Sequence, residues 1–127
     1  MDNAKDLTIS VHLLAERDRL QNVIDQIRVS GTVAPSHCWL VESPQNKGDR
    51  TYTYVRLVSE PPEQKSTSRS LGRPGSAKHR TWRSAIARRE AITELEQQFK
   101  LLEELIDRQA VTAGVIAAAM SRTDLQK

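Results

Sequence analysis

Five apolar residues in the last third of the chain, Ile92, Leu95, Phe99, Leu102 and Ile106, recur at spacings of three, four, three and four. This is the seam of a helix with one apolar side. The count continues through Gln109, Ala113, Ile116 and Met120, with smaller residues and a helix-weakening Gly114. Ser76 is a capping residue, so the helix is expected from about Ala77 to at least Arg108. Such a stripe is not stable in water alone and needs a cover. Asp6–Ser30 offers one: Leu13, Leu20, Ile24 and Ile27 are spaced by seven, four and three. Ser30-Gly31 is expected to stop this first helix, with Gly31 in the left-handed conformation. Leu7, Ile9 and Val11 alternate, so the first residues are also open to an extended form. Two solutions follow. Leu13–Ile27 packs antiparallel on Ile92–Ile106, or the long helix pairs with a second copy or a protein partner through Ile92, Leu95, Phe99, Leu102 and Ile106.

Between the two helices the periodicity changes. His37–Ser43, with Trp39, Leu40 and Val41, suits a strand. Pro44-Gln45-Asn46-Lys47-Gly48-Asp49 is turn chemistry. Arg50–Val58 reads RTYTYVRLV and is rich in residues that fill a pleated surface. These segments make a hairpin joined by six turn residues. If Val55 and Leu57 pack on the helix, then Tyr52, Tyr54 and Arg56 face outward. Gln64–Leu71 forms either a third, edge strand, with Lys65, Thr67, Arg69 and Leu71 on one face, or a loop. Gly72-Arg73-Pro74-Gly75 is a turn. Aromatics are only 4% of residues, so Leu, Ile and Val carry most of the packing.

The formal net charge of +3 hides a segregation. Residues 47–89 hold eleven Lys/Arg and three Asp/Glu, whereas residues 90–108 hold two and six. From Lys65 to Arg89 there are eight basic residues and no acidic one. Such a run repels itself and gains by meeting an anion. The candidate contacts are Lys65, Arg69, Arg73, Lys78, Arg80, Arg83 and Arg88, with Arg80, Arg83 and Arg88 on one broad helical face and Arg89 on the core side with Trp82 and Ile86. Tyr52, Tyr54 and Arg56 add surface for stacking and backbone contacts. Phosphate rewards such a cluster by counterion release. The alternative is a solvated basic face that pairs with acidic residues of the chain or of a partner.

Other chemistry has little to stand on. His12, His37, His79 and the single Cys38 show no metal-ligand spacing. No nucleophile elbow, P-loop, dinucleotide fingerprint or paired-carboxylate motif is present, so neither a catalytic site nor a cofactor is expected. MDNAKDLTIS lacks the basic start and apolar run of a secretory signal, and no stretch approaches a membrane span. The expectation is a cytoplasmic protein.

The order strand, turn, Tyr-rich strand, basic third strand, Leu71-Gly72 turn and helix, over His37–Arg89, resembles the three-stranded-sheet-plus-helix DNA-binding modules of phage-type integrase N-termini and plant AP2-type factors. The chain also looks like small prokaryotic mobile-element-associated proteins with a Tyr-rich hairpin and a C-terminal coiled coil, although the cysteine pair often found in that hairpin is absent here. The first resemblance implies that the sheet enters the major groove, with contacts from Tyr52, Tyr54, Arg56, Lys65 and Arg69.

The expected fold is α+β: a two- or three-stranded antiparallel sheet between a short N-terminal helix and a long C-terminal helix, the helices forming a hairpin or coiled coil. A single domain is expected over residues 1–108 (helix 6–30, sheet 37–71, helix 77–108), followed by a helical extension or partly disordered tail at 109–127. The expected role is non-catalytic nucleic-acid binding, to DNA before RNA, with a coiled-coil adaptor or dimerisation module as the alternative.

Overall fold

The structure, a computed structural model, describes residues 9–122. The chain is α+β, with helix α1 (Val11–Ser30), strands β1 (Cys38–Lys47), β2 (Arg50–Ser59) and β3 (Thr67–Gly72), and helix α2 (Ala77–Ala119). The sheet is antiparallel in the order β1-β2-β3. Among the described residues no helix is long and apolar enough to cross a membrane.

The described residues divide into two compact units, one of residues 9–25 and 94–122 and one of residues 26–93. Both helices run through the division. α2 passes residue 108, where a boundary was expected, without a break.

In the first unit the two helical segments run antiparallel. The Ser10 N–H donates to Gln109 Oε1 at 2.8 Å, and Arg17 Nη1 lies 3.6 Å from Glu103 Oε1. Leu20, Ile24 and Ile106 are buried; Leu95, Phe99, Leu102, Gln109, Ala113 and Ile116 are half-buried. The hairpin solution therefore holds here, and the seam extends to Ile116 as its spacing requires. Leu20 is fully buried, which contributes about 1.5–3 kcal/mol. α1 starts at Val11 rather than Asp6. Ser10 caps it: its carbonyl accepts from the Leu14 N–H at 3.3 Å and its Oγ from the His12 N–H at 3.2 Å. Residues 6–8 of the expected helix lie outside the described residues. On the exposed side Arg19 donates to Glu16, which holds that carboxyl below its ordinary range.

The second unit holds the sheet, the end of α1 and the first half of α2. Cys38, Val55, Leu57 and Leu71 form its buried cluster, with Leu40 and Trp82 packed against it. Two sequence expectations change here. The hairpin turn is not six residues but two: Lys47 pairs with Arg50, and only Gly48 and Asp49 lie between. Gly48 has φ +64°, which suits the first central position of a tight hairpin turn. Pro44 is thereby a strand residue paired with Thr53; β1 is an edge strand, where proline is tolerated. Gly31 also has a different reason for being glycine. Its φ is not positive; instead any Cβ there would collide with the Arg88 guanidinium.

Candidate nucleic-acid interface

The strand register sorts the middle of the chain into two faces. Val55 and Leu57 lie in the buried cluster, so their neighbours Tyr52, Tyr54, Arg56 and Val58 occupy the opposite, outer face. Pairing adds Trp39, Val41, Ser43, Gln45 and Lys47 from β1, and Ser68 and Ser70 from β3. None of these outer positions is acidic, and Glu42 falls on the other face opposite Val55. Trp39 and Val41 are each about 40% exposed, so this face is open.

Both tyrosines carry a cation. Lys47 Nζ lies 5.6 Å from the Tyr54 ring centroid, and Arg73 Cζ lies 5.6 Å from that of Tyr52. The ladder explains Arg73. β3 pairs only with Ser59–Val55 and ends at Gly72 opposite Val55, so the next residue runs beside the hairpin where Tyr52 projects. Gly72 and Gly75 adopt positive φ in the turn that follows. Ser76 then caps α2 as expected: its Oγ accepts from the His79 N–H at 3.2 Å and donates to the Leu71 carbonyl at 2.7 Å. His79 is spent locally, Nδ1 accepting from the Gly75 N–H at 2.9 Å. Arg56 donates to Ser68 Oγ at 2.8 Å, which holds it across the sheet with its stem on the outer face.

The predicted contact residues do not form one surface. Arg69 lies opposite Leu57, on the helix-facing side of β3, and its guanidinium sits 5.5 Å from the Trp82 ring centroid. The five positions implied by the integrase-like resemblance are thus split: Tyr52, Tyr54 and Arg56 on the outer face, Arg69 on the inner. Lys65 precedes β3 and does not join Thr67, Arg69 and Leu71 on the strand. It lies at the far end of β3 from Arg73, about 20 Å of strand away. Lys78 shares a cleft with Arg69 and Trp82. Arg80 donates to the Gly75 carbonyl at 3.1 Å and is exposed, as is Arg83 one turn on.

Arg88 leaves the set. It is half-buried and donates to the Thr32 carbonyl at 3.0 Å, packed under Gly31. It ties the end of α1 to α2 instead of joining Arg80 and Arg83 on an open face. Arg89 is more deeply engaged, as its core-side position anticipated: Nη1 donates to the carbonyls of Pro35 and Cys38, both at 2.6 Å.

Two cations at the hairpin tip escaped the sequence reading. Lys47 was absorbed into the turn, and only the two-residue turn brings it onto the outer face; Arg50, at the strand start, shares the Tyr52 face by alternation and was passed over. Among the described residues, no carboxylate lies within 4 Å of Lys47, Arg50, Lys65, Arg69, Arg73, Lys78, Arg80 or Arg83; ion pairs elsewhere include Arg17–Asp18, Arg17–Glu103, Arg19–Glu16 and Arg89–Glu90. No three His, Cys, Asp or Glu side chains among these residues come together as a metal-ligand set. No family model, curated protein or solved structure matches the chain.

Proposed function

We propose that the sheet-bearing unit binds nucleic acid through the outer face of the hairpin, without catalysis, in an accessory or regulatory role. One observation carries this reading: an open sheet face holds two tyrosines, each beside its own cation, with no acidic residue among its positions. Cations unmatched by carboxylates favour phosphate, and aromatic rings on the same face offer stacking to bases. Lys47, Arg50, Arg56 and Arg73 are the phosphate contacts, with Tyr52 and Tyr54 between them. Arg69, Lys78, Arg80 and Arg83 extend the positive potential around the turn into α2. The resemblance of the strand-turn-strand-helix order in the sequence to sheet-plus-helix DNA-binding modules is the ground for preferring DNA to RNA.

Fluorescence anisotropy of a labelled DNA, titrated at several salt concentrations, tests it. Four phosphate contacts give a log–log slope of affinity against salt near −4, with micromolar binding at low salt. A protein that leaves the probe free at low salt refutes the reading.

A second reading concerns the helical unit. Leu101, Leu105, Val111 and Val115 of α2 are 43–70% exposed; Leu101, Val111 and Val115 lie on the side of the helix away from the seam that α1 covers, and Leu105 lies at the seam's edge. A coiled-coil self-association would use this stripe, because Ile92 and Ile106 are already buried in the chain. In sedimentation equilibrium, a dimer that Leu101→Glu/Leu105→Glu converts to monomer would establish that use. A wild-type monomer at high concentration would dismiss it.

A further inference from the structure

On the helix-facing side of the sheet, the Arg69–Trp82 pair is the shared wall of two clefts. The larger, about 320 Å³, is lined by Pro35, His37, Cys38, Leu57, Ser59, Thr67 and this pair. The smaller, about 180 Å³, lies between this pair and Lys78, with Ser70 and Leu71. No carboxylate lines either one.

The two clefts differ in chemistry. The larger has an apolar floor at Leu57 and polar groups at His37, Ser59 and Thr67, which present both donors and acceptors. Its volume is at the lower end for a small-molecule site. In its wall the Arg69 guanidinium lies over the Trp82 ring at 5.5 Å, so the planar guanidinium, backed by the indole, is the surface on which an unstacked base rests. The floor is held in place: Arg89 grips the Pro35 and Cys38 carbonyls, the Glu60 N–H donates to the His37 carbonyl at 2.9 Å, and Cys38 Sγ lies 3.6 Å from Ser59 Oγ. The smaller cleft offers two cations, from Arg69 and Lys78, near the start of α2, where a phosphate is favoured.

We infer that the two clefts together take one nucleotide unit of a single-stranded nucleic acid, the base in the larger cleft against Trp82 and Arg69 and its phosphate between Arg69 and Lys78. This rests on the nucleic-acid reading above and narrows it. A duplex keeps its bases paired and stacked and cannot offer one to the cleft without unpairing it. The outer face holds backbone of either kind, whereas the clefts discriminate.

The test uses the full chain with Trp39→Phe, which leaves Trp82 as the sole indole. Its emission is followed while a short single-stranded DNA, the same sequence as duplex, or a free nucleoside monophosphate is added; anisotropy of labelled DNA is read in parallel. The single strand is expected to quench Trp82 and to bind about tenfold more tightly than the duplex. Trp82→Ala removes that preference and leaves duplex affinity unchanged. Because Trp82 packs on the buried cluster, Arg69→Ala, at an exposed position, serves as the second variant: it loses the single-strand preference, while any weakening from the lost positive charge falls equally on both forms. Equal binding of both forms with unchanged Trp82 emission overturns the inference and leaves the outer-face reading standing. Quenching by the monophosphate alone assigns the clefts to a free nucleotide and overturns it as well. Binding of neither DNA overturns both readings.

Discussion

Reversing Lys47 and Arg73 together (Lys47→Glu/Arg73→Glu) is expected to weaken DNA binding on the order of a hundredfold at low salt and to reduce the salt slope by about two. These are the two cations held against Tyr54 and Tyr52. Each variant side chain removes one phosphate contact and puts a like charge where phosphate would sit. Neither residue is buried, and neither has a carboxylate partner among the described residues, so the fold loses two cation–ring contacts of about 0.5–1 kcal/mol each and the exposed 3.4 Å hydrogen bond from Lys47 to the Tyr54 hydroxyl. The decisive comparison is Lys100→Glu/Arg108→Glu, which makes the same change in net charge on exposed positions of the helical unit. If binding follows net charge alone, both doubles lose equally and the assignment to the outer face fails. If the face carries it, the control stays within about threefold of wild type, since neither Lys100 nor Arg108 is among the proposed phosphate contacts. Anisotropy titrations at two salt concentrations for the three proteins read both affinity and slope.

The elements were legible where side-chain pattern dictates them. The stripes Leu13–Ile27 and Ile92–Ile116 must be covered, and Ser76 is a cap whatever surrounds it. The alternation of RTYTYVRLV fixed which residues of β2 share a face, so the outward direction of Tyr52, Tyr54 and Arg56 followed once Val55 and Leu57 were placed inside. The hairpin turn was misread for a reason composition cannot supply. Pro44-Gln45-Asn46 has the chemistry of a loop, but a ladder to Tyr52, Thr53 and Thr51 holds it as strand, and pairing overrides local preference. That error hid Lys47. Arg88 was misjudged for a different reason. A charge count treats Arg80, Arg83 and Arg88 alike, and the carbonyl that occupies Arg88 belongs to Thr32, 56 positions away. Main-chain acceptors leave no mark in a sequence. Arg69 was placed correctly beside Thr67 and Leu71, but grouping it with Tyr52 and Tyr54 ignored that β3 presents it on the helix side.

The same hidden acceptors give the largest expected change in stability. Arg89→Met keeps the apolar stem but removes the guanidinium nitrogen that donates to both Pro35 and Cys38. The side chain is only 17% exposed, so water cannot freely replace it. Hydrogen bonds to a charged donor are worth about 1.5–3 kcal/mol each, and the acceptors left behind carry a desolvation penalty. The Pro35 carbonyl keeps one bond, from the Cys38 N–H at 3.4 Å, which moderates the loss. A destabilisation of about 3 kcal/mol is therefore expected, read as a lower urea midpoint at constant m-value. Arg89→Lys should fall between, because an ammonium also carries several N–H donors on one nitrogen but sits on a shorter, more flexible stem without the planar guanidinium's fixed directions. Glu90→Gln isolates the neighbouring ion pair. That pair is 3.7 Å apart with Glu90 70% exposed, so its loss should cost less than about 0.5 kcal/mol. If Arg89→Met unfolds within that same margin of wild type, the carbonyls are satisfied by water and the clamp is not what joins α2 to the start of β1. If the expected loss appears, the function follows from it. Pro35 and Cys38 line the larger cleft, so the variant should lose single-strand preference at temperatures where the helical unit is still folded, while the hairpin tip, away from the clamp, retains its cations.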